Sequence, residues 1–282
     1  MSAQQDQMYE IVSRFCTNYE SEIQALEKLM DDAERDSAGA FSTLADLHVE
    51  THRLGGAAHC MGFRFLGGEI EDVDKLIQRY LDMPNLDDTN CLTDVRQRIE
   101  SLKAYRGDLH PSGSKLLNRA TALEVLREGE ADTEAMKVRD ASRIRLLNRE
   151  RILFVDDDPY IRALVARTFE DSGIEQIETA RNCEDAIKAL KEYQPTLIIT
   201  DWEMSPVNGL ELCQVIRNGR TPIPRDTPIL LFSAHKTRDD RRKALKAGAN
   251  KLLGKPVLPE VLIDAVAETV AKRFKLSRRA RN

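Results

Sequence analysis

Short apolar runs in this chain end repeatedly in a residue able to do chemistry. Leu197-Ile198-Ile199-Thr200 runs into Asp201, and Ile152-Leu153-Phe154-Val155 runs into Asp156-Asp157-Asp158. Ile229-Leu230-Leu231-Phe232 stops at Ser233, and Lys251-Leu252-Leu253-Gly254 stops at Lys255-Pro256. Runs of this length suit strands covered on both faces. If the four lie parallel, one rim of the sheet collects acids, a hydroxyl and an ammonium, and open parallel sheets bind ligands at that rim. Carboxylates packed so closely repel unless a cation lies between them. Hard oxygen donors at a partly open site suit Mg²⁺, which keeps several waters. Without a ligand, the same acids would be loop residues or helix caps. Asp158 before Pro159 fits a cap, because Pro favours the first helical position.

A second group lies near the N-terminus. His48, His52, Gly55 and His59 are spaced four, three and four, on a helix flank beside the apolar stripe Leu44, Leu47, Thr51, Leu54, Ala58 and Met61. His48 and His52 have the i, i+4 spacing of a metal pair. No third ligand is evident, since Glu50 belongs to another face and there is no HExxH, so a metal reading is disfavoured. Gly55-Gly56 in a helix interior costs about 1 kcal/mol per residue relative to Ala. Something must therefore favour small residues there, and the close approach of another surface beside His52 is the expectation. His59 reads as a semi-buried flank residue. His110 and His235 are isolated, with His235 expected near the sheet rim.

The elements that must position these groups follow from periodicity. Met8, Val12, Phe15, Tyr19, Ile23, Leu26 and Met30 form one helical stripe. The stripe through His52's helix is the second; Leu66, Ile70, Val73, Ile77 and Tyr80 give a third, and Leu92, Val95, Ile99 and Leu102 a fourth. Short connections at Ser37-Ala38-Gly39-Ala40, Gly62 and Pro84-Asn85 predict an antiparallel four-helix bundle over 1–110. Pro111-Ser112-Gly113-Ser114 marks a boundary. Residues 111–150 read as a helical linker, with one helix ending near Gly129 and an Arg-rich one over 133–149. From 151 to 274 strands and helices alternate, which predicts a doubly wound five-stranded parallel sheet. Residues 275–282 read as a basic tail.

Charge separates the parts. Residues 1–110 carry 11 basic and 21 acidic side chains, a net of −10, whereas residues 272–282 carry 6 basic and no acidic ones. An acidic bundle argues against nucleic acid as its partner. The five cysteines are scattered without a CxxC pair, which fits a reducing compartment and no zinc site. There is no apolar run of membrane-spanning length and no signal-peptide pattern, so a cytoplasmic protein with no membrane partner is expected.

Residues 151 to about 271 resemble a response-regulator receiver domain. The match rests on Asp156-Asp157, on Asp201 followed by Met204 and Asn208-Gly209, on Ser233-Ala234 and on Lys255-Pro256. The resemblance implies strand order 2-1-3-4-5 and a phosphoacceptor at Asp201. It implies Mg²⁺ held by Asp157, Asp201 and the Glu203 carbonyl, with Asp156 acting on the metal through water. Ser233 and Lys255 would bind the phosphoryl oxygens, and Lys255-Pro256 would be cis. Two departures stand out: Ser205-Pro206 shifts the family's Pro by one place, and Leu252 stands where an aromatic switch residue is usual.

The first 110 residues resemble a histidine-phosphotransfer domain, on His52-Arg53-Leu54-Gly55-Gly56-Ala57-Ala58 and Gly62 before Phe63. This implies His52 as a second phosphoacceptor. Gly55 replaces the family's Lys, so Arg53, Arg64 or a partner's side chain must supply that charge. Together the resemblances imply a phosphorelay, in which phosphoryl groups pass between a phosphohistidine and Asp201. The chain has no nucleotide-binding motif, so a separate histidine kinase is the expected source, and other receiver or phosphotransfer proteins are the expected partners. Two alternatives are a non-catalytic adaptor gated by the receiver, and the regulatory part of a longer output protein.

Overall fold

The computed structural model describes residues 3–35, 40–82, 88–118, 142–233, 237–255, 257 and 259–279. They fall into two compact units, one up to Ala122 and one from Leu123.

The first unit is helical. Its helices are α1 (Ala3–Arg35), α2 (Ala40–Cys60), α3 (Arg64–Asp82) and α4 (Asp88–Leu102). α1 and α3 each pack against both α2 and α4. The stripes are the reason: Val12, Phe15, Tyr19, Leu26 and Met30 of α1 are at most 1% exposed, as are Ile70, Val73 and Ile77 of α3. Burying each such large apolar side chain contributes about 1.5–3 kcal/mol. Phe15 stacks on Phe63 with ring centroids 5.8 Å apart. The buried Tyr19 hydroxyl donates to the Leu102 carbonyl at 2.9 Å, satisfying one of the carbonyls that α4 leaves unpaired at its end. Gly62, at φ +88°, makes the turn from α2 to α3, and a Cβ there would lie 2.4 Å from the Leu116 nitrogen. Only glycine meets both demands. Residues 114–116 close over this turn, with Ser114 Oγ donating to the Met61 carbonyl at 2.6 Å. The breaker segments at 36–39 and 83–87, and linker residues 119–141, lie outside the described residues.

The second unit is a five-stranded parallel sheet of order β2-β1-β3-β4-β5. Its strands are β1 (Ile152–Val155), β2 (Ile177–Ala180), β3 (Leu197–Asp201), β4 (Ile229–Ser233) and β5 (Lys251–Gly254). Its helices are α5 (Pro159–Asp171), α6 (Cys183–Glu192), α7 (Gly209–Arg217), α8 (Arg238–Lys246) and α9 (Pro259–Arg279). Every residue of β1, β3 and β4 is buried, whereas the edge strands β2 and β5 are partly exposed. That is why the central strands read as unbroken apolar runs and the edges do not. Asp158 caps α5, accepting from the Tyr160 and Ile161 nitrogens.

Two linker and tail expectations change in detail. Residues 142–147 are helical and lie on this unit: Leu147 is fully buried, and Arg143 pairs with Asp264 of α9. α9 continues to Arg279, through residues 275–279 of the predicted tail. Lys, Leu and Arg are good helix formers, and no glycine or proline interrupts them there.

Candidate functional site

The sheet register levels the strand ends. Val155 pairs with Thr200, Asp201 with Phe232, and Ser233 with Gly254. Asp156, Asp201, Ser233 and Lys255 therefore meet at one rim, and all four are buried. Lys255 Nζ lies 3.0 Å from Asp156 Oδ2 and 3.0 Å from Asp201 Oδ1. The same ammonium sits 5.2 Å from the centre of the Phe232 ring, whose face attracts it.

Backbone groups hold the acids. The Asp158 nitrogen donates to Asp156 Oδ1 at 2.9 Å, and the Trp202 nitrogen donates to Asp201 Oδ1 at 2.8 Å. Arg162 Nη1 donates to the Asp156 carbonyl at 2.7 Å, and the Lys255 nitrogen to the Ser233 carbonyl at 2.7 Å. Burial raises the Asp156 pKa; Lys255 opposes that rise, while the charges of Asp201 and Asp158 add to it. Asn208 caps α7 through a reciprocal box with Glu211. Gly209 must be glycine, because a Cβ would come within 1.9 Å of the Asp201 carbonyl oxygen. Asn208-Gly209 thus lets a helix begin directly against the strand that carries Asp201.

Asp156, Asp157 and Asp201 offer carboxylate oxygens that all lie within 4.8 Å of one another. An all-oxygen donor set in which Asp157 is less buried than the other two fits a hard divalent cation that retains water. Glu203 is half-buried in the loop after Asp201. His235 and Pro256, with the bond expected to be cis, lie outside the described residues; the Ser205–Pro206 bond is cis.

In the helical unit, α2 and α3 build a second polar cluster. Asp74 of α3 is 8% exposed. Its Oδ2 lies 3.1 Å from His52 Nδ1, and its Oδ1 lies 2.7 Å from His48 Nδ1. Thr51 Oγ1 donates to the same Oδ1 at 3.0 Å. Burial alone would raise the Asp74 carboxyl; the hydrogen bonds and charges of His48 and His52 outweigh it and hold the pKa at about 2. Asp74 was not among the sequence candidates. Its signal was present, because it sits one residue past Val73 on the stripe Ile70, Val73, Ile77, where a carboxylate needs a partner.

The two glycines of this helix differ from expectation. Gly55 is buried, and a Cβ there would meet Ile70 Cγ2 at 3.4 Å and the Gly67 carbonyl oxygen at 3.7 Å. It therefore lies on the α2–α3 contact, where a Cβ would make ordinary van der Waals contact. Gly56 has no heavy atom within 4 Å of such a Cβ. Arg53 is also otherwise engaged, paired with Glu22 and with Glu50 at 2.8 Å. Arg64 begins α3, ten residues and so about 15 Å of helix before Asp74. His59 lies over Gly67, where a Cβ would strike its ring at 2.7 Å, and its Nε2 is 2.9 Å from Glu71.

The comparisons with known proteins concern the sheet unit. Residues 152–267 match the response regulator receiver domain. Over 116 residues the chain is 32% identical to the phosphate regulon transcriptional regulatory protein PhoB of Klebsiella pneumoniae, covering 41% of this chain and 49% of that protein. It is 35% identical over 117 residues to an uncharacterized 14.6 kDa protein of Leptolyngbya boryana, covering 42% of this chain and 87% of that one. Among solved structures, the chemotaxis protein CheY4 of Vibrio cholerae is 29% identical with a TM-score of 0.39, covering 42% of this chain and 96% of that one. The chain spans about half the length of the first curated relatives it matches. With the acidic rim, the buried lysine and the 2-1-3-4-5 sheet in one unit, this chain belongs, through residues 152–267, to the response regulator receiver domain family of two-component signalling.

Proposed function

We propose that this chain is a phosphorelay protein, in which Asp201 accepts a phosphoryl group and His52 is a second acceptor on an antiparallel bundle of histidine-phosphotransfer type. The observation that carries the first half is Lys255 Nζ, 3.0 Å from both Asp156 and Asp201. A buried ammonium so placed neutralises charge that develops on a phosphoryl group attached to Asp201. Asp201 is the nucleophile: a carboxylate oxygen bonds to phosphorus while the bond from phosphorus to the donor breaks. Ser233, at the same rim, is positioned for a phosphoryl oxygen. Asp156, Asp157 and Asp201, with the Glu203 carbonyl, would hold Mg²⁺, which when bound neutralises carboxylate and phosphoryl oxygens alike.

The second half rests on Asp74. A proton on His52 Nδ1, shared with Asp74, puts the lone pair on Nε2. On transfer that lone pair bonds to phosphorus, the donor's phosphorus–oxygen bond breaks, and the donor carboxylate leaves. The ring becomes an imidazolium whose Nδ1 proton stays on the bond to Asp74. A receiver charged by a histidine kinase is the donor class for His52, and a phosphohistidine is the donor class for Asp201.

Incubating the full chain with acetyl phosphate and Mg²⁺ should place a phosphoryl group on Asp201, and Asp201→Asn should remove it. Label from a charged receiver should appear, acid-labile, on His52. A second reading is that the bundle only docks partners, favoured by the engagement of Arg53 with Glu22 and Glu50. Under that reading no acid-labile label appears.

A further inference from the structure

A phosphoryl group on His52 Nε2 would add its charge to a site where Asp74, a carboxylate held ionised down to strongly acid pH, already faces Nδ1 of the same ring. The imidazolium proton on Nδ1 answers Asp74, which leaves the charge of the phosphoryl group itself for another nearby cation to balance. Three nearby candidates are poorly placed. Arg53 is paired with Glu22 and Glu50. Lys75 is paired with Glu71 and Asp72 and is 60% exposed. Gly55, one turn after His52, has no side chain to offer.

His48 is different. It lies one turn before His52 on the same flank, with ring centroids 6.4 Å apart. Its Nδ1 is 2.7 Å from Asp74 Oδ1, the oxygen opposite the one that meets His52. One carboxylate therefore lies between two imidazole nitrogens and accepts from the Thr51 hydroxyl. His48 faces Asp74 of α3 and, on its own helix, His52.

Resting on the reading of His52 as a phosphoacceptor, we propose that His48 is a positioning residue of that site: it fixes Asp74 against His52 and, when protonated, supplies the positive charge that balances the phosphoryl group. The two roles can be separated. A lysine at 48 carries the charge at every pH near neutrality, and a glutamine can bond to Asp74 without carrying any.

The test uses the full chain with phosphoramidate as donor, reading label at each histidine by mass spectrometry between pH 6 and 8.5. Wild type should be labelled at His52. His48→Gln should lower the initial rate by up to about a hundredfold, the size expected for one charge at about 6 Å near a protein surface. His48→Lys should restore it. A glutamine variant equal to wild type across the pH range would overturn the role of His48 while leaving His52 as acceptor. A lysine variant as slow as the glutamine one would also overturn it, since geometry alone would then be at stake. Wild type without label on His52 would sink both this inference and the reading beneath it.

Discussion

Asp74 Oδ2 and His52 Nδ1 lie 3.1 Å apart, although twenty-two residues separate them and they come from different helices. The pair couples a buried carboxylate to a partly exposed imidazole, whose side chain is 24% exposed. Replacing the acid by its amide should therefore weaken the histidine without emptying the site. Asp74→Asn should lower the rate of His52 labelling about tenfold, and Asp201 should still be charged by acetyl phosphate at the wild-type rate. Equal labelling of His52 in both proteins would remove Asp74 from the mechanism.

The same residue predicts a response to acid. The folded pKa of Asp74 is lowered from 3.8 to about 2, so its contribution is present above the unfolded value and is lost as pH falls from about 4 to 2. The amount is about 2 kcal/mol. Helix loss followed by circular dichroism should show this window, while Trp202 fluorescence reports the sheet unit separately. Asp74→Asn should abolish that part of the acid transition.

Trp202 is the single tryptophan, and its backbone nitrogen donates to Asp201 Oδ1 at 2.8 Å. Mg²⁺ titration should change its fluorescence, and Asp157→Ala should remove the change by taking away one of the three clustered carboxylates. A wild-type signal that stays flat at millimolar Mg²⁺ would contradict cation binding at this rim.

Lys255 is 5% exposed between two buried acids. Lys255→Met should leave those charges uncompensated and cost about 3 kcal/mol of stability, because breaking a buried pair strands its partners. Phosphorylation of Asp201 by acetyl phosphate should fall about a hundredfold, as for loss of a well-placed electrostatic donor. Chemical denaturation read through Trp202 separates the two effects.

The glycines offer a contrast. Gly209→Ala should destabilise the sheet unit by about 1–3 kcal/mol, since its Cβ would overlap the Asp201 carbonyl. Gly56→Ala should raise the melting temperature of the helical unit, with a gain of up to about 1 kcal/mol, since its Cβ meets nothing and alanine is the better helix former. If Gly56→Ala instead destabilised, Gly56 would be needed for a contact that this unit does not itself contain.

Periodicity in the sequence determined the elements. Apolar residues every third and fourth position marked α1 to α4, buried runs ending in Asp156, Asp201 and Ser233 marked the central strands, and Lys255 after the edge strand completed the rim. These signals are local, because a helix face or a strand interior must repeat with its own geometry. Tertiary structure decided what no local pattern carries: that Lys255 reaches Asp156 across 99 positions, that Phe232 lies under its ammonium, and that Arg162 holds the Asp156 carbonyl. It also decided the meaning of Gly55. In sequence that glycine marks only a small residue one turn from His52. In space it faces Ile70 and Gly67, while on the turn before His52 the His48 ring meets Asp74. Which side chains share a carboxylate depends on how two helices are rotated about their axes, and packing sets that rotation.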